Sequence, residues 1–179
     1  MAEGRAHESE LVITERDHVH GKTTAPITLV EYGDFECPYS QQAVQTVQAL
    51  QREFGPDLRF VFRHFPLNKH PHALQASEAA EAAAAQGKFW PMYDMLFANQ
   101  WELTYDDLMN YAGRLGLDRT RFAEALDTHR HLDRVRADIA GGRQHGVTGT
   151  PTFIVNGHRQ HGDDDVRALS AAIRKALSA

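Results

Sequence analysis

The six residues Ile27-Thr28-Leu29-Val30-Glu31-Tyr32 form a compact β-branched run, too short and too uninterrupted for an amphipathic helix. Such a run predicts a buried strand, and its place in the chain makes it a central one. After the turn Gly33-Asp34-Phe35-Glu36, Ala43, Val44, Val47 and Leu50 recur at helical spacing. The helix they predict covers Pro38 to Phe54, with Pro38 at a favoured first-turn position. Cys37 therefore stands at a helix N-terminus. Gly55-Pro56-Asp57 stops that helix, and Leu58 to Arg63 alternates apolar and polar side chains before an almost continuous aromatic run, which reads as a second strand.

From Asn68 to about Gly142 the signals are nearly all helical, beginning with the alanine-rich stretch Ala73 to Ala85 and continuing through Lys88 to Asn99. Thr104 has the character of an N-cap, with Asp106 and Asp107 in the first turn behind it. Short helices are expected over Arg119 to Asp127 and His131 to Gly142. The final third predicts a strand at Thr152 to Val155, a hairpin turn at Asn156-Gly157, a short strand at His158 to His161 and a closing helix from Asp164 to Leu177. Ahead of all this, residues 1–25 read mostly as an arm, with Leu11-Val12-Ile13 able to pair as a short strand. The sum is one α/β domain: a core over about 26–67 and 144–178, ordered βαβ then ββα, interrupted by a helical insert at about 68–143.

Composition narrows the function classes. With 179 residues, 42% of them hydrophobic and 24% charged, the chain can build one sizeable core and needs no cofactor to fold. A formal net charge of −5 without clustered Lys and Arg argues against nucleic acid as a partner. No segment approaches the roughly 18 apolar residues of a membrane span, and Met1 to His20 lacks the apolar stretch of an export signal. A single cysteine rules out an internal disulfide framework. Unless an export signal has been trimmed, the expected address is cytoplasmic.

Cys37 is the residue most suited to chemistry. Unsatisfied N–H groups and the positive dipole end at a helix start favour thiolate. Ser40, one turn along, is placed to donate a hydrogen bond to the sulfur, and both effects lower a thiol pKa, while the charge of Glu36 opposes them. A lone cysteine is commonly an inert small hydrophobe, but the head of a helix between a strand turn and a proline favours reactivity. Glu31 is an acid in an apolar strand, hence a candidate buried carboxylate that either relays protons or pairs with a base. The eleven histidines, His64, His70 and His72 or His158 and His161 among them, show no zinc spacing, so no metal site is expected and His-rich loops read as solvated surface. Phe89, Trp90, Tyr93, Phe97 and Trp101 form a helical aromatic stripe that reads as core packing.

The segment Glu31-Tyr32-Gly33-Asp34-Phe35-Glu36-Cys37-Pro38-Tyr39-Ser40 resembles the active-site region of DsbA-like oxidoreductases. Arg63-His64-Phe65-Pro66-Leu67, Gly87-Lys88-Phe89-Trp90 and Gly146-Val147-Thr148-Gly149-Thr150-Pro151-Thr152-Phe153 resemble the same family in the same order, so the likeness covers roughly residues 18–178. It implies a thioredoxin fold with a helical insert and thiol-disulfide chemistry. Cys37, Pro38, Ser40 and Glu31 would then make up the catalytic set. Tyr39, Thr150 and Pro151 would meet substrate, with a cis peptide before Pro151 and the backbone of Thr150 pairing with a peptide or glutathione in β-strand fashion. The departure is Ser40, which stands where the family has a second cysteine. That implies an oxidoreductase or isomerase in monothiol mode, its mixed disulfide resolved by an outside thiol, with glutathione as a co-substrate and no tightly bound cofactor. Two alternatives stand beside it: a non-catalytic peptide-binding or redox-sensing module, and a kappa-type glutathione transferase, a family that generally has serine at the first motif position. Substrate identity and oligomeric state are open from sequence.

Overall fold

The computed structural model describes residues 11–161 and 165–179. Three strands, β1 (His18–His20), β2 (Ile27–Gly33) and β3 (Leu58–His64), join β4 (Thr152–Val155) and β5 (His158–Arg159) in one sheet of order β1-β3-β2-β4-β5. Helix α1 (Pro38–Phe54) crosses from β2 to the parallel strand β3, as a parallel pair requires, and all other pairings are antiparallel. Between β3 and β4 run α2 (Ala73–Ala84), α3 (Phe89–Ala98), α4 (Tyr105–Arg114), α5 (Arg119–Asp127) and α6 (Leu132–Gln144), and α7 (Val166–Leu177) closes the chain. The βαβ, helices, ββα order predicted from the pattern is the order found.

β2 lies at the centre of the sheet with both faces covered, which explains its unbroken apolar run. Ile27 and Leu29 point into the larger core with Leu58, Phe60, Phe62, Phe153 and Val155, under α1, α3 and α7. Val30 and Tyr32 point the other way, to a smaller core with Val61, Phe65, Val147 and Ile154, which the partly buried Ile139 of α6 also touches. Helix ends follow their local chemistry. Thr104 and Asp107 form a reciprocal capping box at α4, Asp118 and Asp165 cap α5 and α7, and Gly55 takes φ +49° where α1 stops.

The N-terminal segment departs from expectation. Residues 11–13 form no strand. Leu11 and Ile13 instead pack onto the smaller core, and the strand lies at His18–His20, paired antiparallel with β3. Arg63 fixes this course: its guanidinium bonds both Asp17 carboxylate oxygens at 2.7 and 3.0 Å, the Val12 carbonyl at 2.7 Å and the Tyr32 hydroxyl at 3.1 Å. Burial alone would push the Asp17 carboxyl up, but the Arg63 bonds outweigh it and hold it below the ordinary carboxylate value. Smaller differences lie at element ends. β5 stops at Arg159, and the expected helix start at Asp164 lies outside the described residues. Trp101 falls beyond α3 and is 79% exposed, whereas Phe89, Tyr93 and Phe97 are buried as a core stripe should be.

Gly33, where β2 turns toward Cys37, has no room for a side chain: a Cβ would meet Phe62 Cε2 at 2.4 Å and Glu31 Oε1 at 2.9 Å. Gly33→Ala should therefore cost about 1–3 kcal/mol in urea unfolding. Gly113→Ala in α4, where the nearest atom is the flexible Arg119 Cδ at 3.5 Å, should be neutral or gain up to about 1 kcal/mol.

Candidate active site

The site is assembled where β2 ends, α1 begins and the loop before β4 returns. Asp34, fully buried, organises the turn: its carboxylate accepts from the backbone N–H of Glu36 at 2.7 Å and of Leu67 at 2.8 Å, and bonds His70 Nδ1 at 2.7 Å. The Asp34 carbonyl accepts from the Cys37 N–H at 3.1 Å. Cys37 thereby becomes the N-cap of α1, extended in backbone and followed by Pro38 at the first helical turn. The Cys37 carbonyl accepts the first helical bond from Gln41 N–H at 3.1 Å.

Across from α1, the Thr150–Pro151 peptide is cis, and the Cys37 thiol donates to the Thr150 carbonyl at 3.3 Å. Thr152 Oγ1 donates to the Gly149 carbonyl at 2.8 Å and closes that loop on itself. Cys37 and Thr150 are thus together, 113 residues apart in the chain. Tyr39 projects outward at 68% exposure, while Cys37 is only 3% exposed. Glu31 is fully buried in β2, opposite Phe62 on one side and Phe153 on the other.

Ser40 is placed differently from expectation. Its hydroxyl, fully buried, accepts from the Asp34 backbone N–H at 3.3 Å and so ties the first turn of α1 to the turn that precedes Cys37. His70 and His72 are not plain solvated surface either. His70 bonds Asp34, and the Glu36 carboxylate takes both the backbone N–H of His72 at 2.7 Å and its Nδ1 at 3.0 Å. Glu36 is therefore engaged with the segment leading into α2.

Sequence reasoning missed Gln100. This buried side chain follows α3, and its Nε2 donates to the carbonyls of both Phe35 at 3.0 Å and Cys37 at 2.8 Å. The helical insert thus holds the turn that carries the thiol. Nothing local in the sequence marks Gln100, since its partners lie 65 and 63 residues away. Chemically, the arrangement offers one thiol at a helix N-terminus and a facing loop backbone, with no second sulfur.

A family profile described as thioredoxin matches residues 13–175. Among solved structures, a thioredoxin-like oxidoreductase from Silicibacter pomeroyi superposes with a TM-score of 0.83 at 26% identity, covering 93% of this chain and 95% of that one. BdbD from Bacillus subtilis gives 0.82 at 24% identity, covering 92% and 95%. These neighbours are DsbA-like thiol-disulfide oxidoreductases. A curated relative from Salinispora arenicola, named as a Na+/H+ antiporter NhaA, is 51% identical over 165 residues. That match takes in 92% of this chain but only 25% of the relative, so the chain spans about a quarter of the length of the curated relatives it matches. No helix among the described residues is long and apolar enough to cross a membrane. The cytoplasmic expectation is overturned here, because the DsbA-type neighbours, BdbD among them, are extracytoplasmic enzymes.

Replacing Gln100 by the similarly shaped Met removes the only described side-chain bond to the Phe35 carbonyl. Gln100→Met should cost about 1–3 kcal/mol in chemical denaturation and raise amide exchange in residues 34–37.

Proposed function

The chain belongs to the thioredoxin family, and from that premise we propose that it is a thiol-disulfide oxidoreductase or isomerase working in monothiol mode through Cys37. The observation that carries this reading is the thiol at the N-cap of α1, 3.3 Å from the Thr150 carbonyl beside the cis Pro151 peptide. Cys37 gives its proton to solvent, and its thiolate attacks one sulfur of a disulfide. The Cys37–substrate disulfide forms, the old S–S bond breaks and the other half leaves as a thiolate. An external thiolate, glutathione or a protein thiol, then attacks the mixed disulfide and releases Cys37, with no net change in the enzyme. The N–H groups of α1 and its dipole support the sulfur anion at both steps.

Pro38 sets the first turn without a competing N–H. Ser40 has no sulfur to resolve the adduct, and its proposed part is to hold Asp34 and so the thiol. Thr150 and Pro151 present backbone to an extended substrate, and the exposed Tyr39 is assigned to meet its side chains. Glu31 is assigned the buried acid beneath the turn. Glutathione is a co-substrate in this scheme, not a resident group. Ion transport by the longer relatives is not assigned to this chain.

The low exposure of Cys37 favours a second reading, a peptide-binding or redox-sensing module in which the sulfur reacts but does not turn over. Incubation with oxidised glutathione, mass spectrometry of the product and timing of its release by reduced glutathione separate the two. The monothiol enzyme should form one adduct at Cys37 at neutral pH and lose it faster than a model mixed disulfide. Cys37→Ala should form none. No adduct on the wild type sinks the monothiol enzyme and the redox sensor, and an adduct released only at the model rate supports the module. Ser40→Cys should gain insulin reductase activity, since it restores a resolving thiol.

A further inference from the structure

Away from the thiol, His18 of β1, His64 of β3 and Glu81 of α2 converge. His18 Nε2 lies 2.7 Å and His64 Nε2 2.8 Å from the same oxygen, Glu81 Oε1, and the three donor atoms all lie within 4.8 Å of one another. Their positions are set independently. The His18 ring stacks on Phe89 with centroids 3.5 Å apart and planes 4° from parallel, and the His64 backbone N–H is fixed by Asp138 at 3.0 Å. His64 is fully buried, while the His18 side chain keeps 14% exposure and gives the cluster an opening at the sheet edge. A separate observation concerns His131, at the N-cap of α6. Glu81 is among the charges acting on it, and its buried Nε2 has no hydrogen-bond partner among the described residues. A nearby guanidinium, that of Arg134, lies 4.0 Å from Glu81 Oε1, but Asp138 pairs with it and offsets its charge.

We propose that His18, His64 and Glu81 bind a divalent cation of zinc character. Two imidazole nitrogens and a carboxylate oxygen form the donor set that such an ion accepts with a fourth position left for water or a further ligand. Zinc–nitrogen bonds of about 2.0–2.1 Å put tetrahedral donors about 3.3 Å apart, so the cluster must open by about half an ångström. His18, on a three-residue edge strand, is the member placed to move. Each imidazole would turn its Nε2 lone pair to the ion and carry its proton on Nδ1, which in the buried His64 has no hydrogen-bond partner among the described residues. The bound ion would fasten β1 and β3 to the first helix of the insert. This reading does not depend on the thiol chemistry.

Titration of the intact chain with Zn2+ and with Co2+ tests it, read by melting temperature and by the Co2+ absorption spectrum. One equivalent should bind and raise Tm, and the spectrum should lack the thiolate-to-cobalt charge-transfer band that ligation by Cys37 would produce. His18→Gln, partly exposed at the sheet edge, should stay folded by circular dichroism and bind at least about tenfold more weakly. Glu81→Gln, which keeps the shape but not the charge, should weaken binding as well. An unresponsive wild type, a thiolate band, or equal binding by folded His18→Gln would each overturn the proposal.

Discussion

The Asp34 carboxylate has no contact with solvent, and the position of the thiol hangs on the hydrogen bonds it accepts. A buried carboxylate is tolerable only where its oxygens are satisfied, and here two backbone N–H groups and an imidazole do so. Those three donors come from the turn itself, from the exit of β3 and from the approach to α2. One side chain therefore brings three stretches of chain to a common point. Ser40 and Gln100 complete the arrangement, the first on the Asp34 N–H and the second on the Phe35 and Cys37 carbonyls. Cys37 caps α1 because the backbone on either side of it is held by Asp34, Ser40 and Gln100.

Packing does for the insert what hydrogen bonding does for the turn. Phe35, between Asp34 and Glu36, lies 5.3 Å from the Phe62 ring and 4.9 Å from Phe97, while Tyr93 lies 5.1 Å from Phe62 and 4.9 Å from Phe97. Edge-to-face and tilted contacts of this kind add to the burial energy of large rings. They join the active-site turn, the sheet and α3 in one cluster. The insert is thus the wall against which the thiol-bearing turn is built, and burial in it pushes the Tyr93 hydroxyl pKa well up.

What the sequence disclosed and what it withheld divide along physical lines. β2 was legible as a short unbroken apolar run, α1 and the insert by apolar residues at helical spacing, and the closing hairpin by Asn156-Gly157 between two strands. The placement of Cys37 at a helix start needed only local pattern. Leu11 and Ile13 were misleading because three apolar residues look the same whether they extend a sheet or lie across one. Ser40 was placed one turn from Cys37 correctly, but spacing does not say which neighbour a hydroxyl faces. Gln100, Asp34 with His70, and the pairing of His18 and His64 with Glu81 were invisible for a shared reason. Each joins residues 17 to 65 positions apart, and a polar side chain carries no periodic mark of a distant partner.

The two outer strands of the sheet, β1 and β5, hold three and two residues. A long unpaired edge is a template on which other chains can add, and proteins often blunt it by keeping the outermost strands short. Here a visiting strand would find only two or three rungs at either side, with the polar His18, His20, His158 and Arg159 along them. The sheet is thereby guarded against runaway self-association. The same shortness leaves few rungs for strand addition by a peptide, whereas the Thr150 carbonyl lies 3.3 Å from the sulfur.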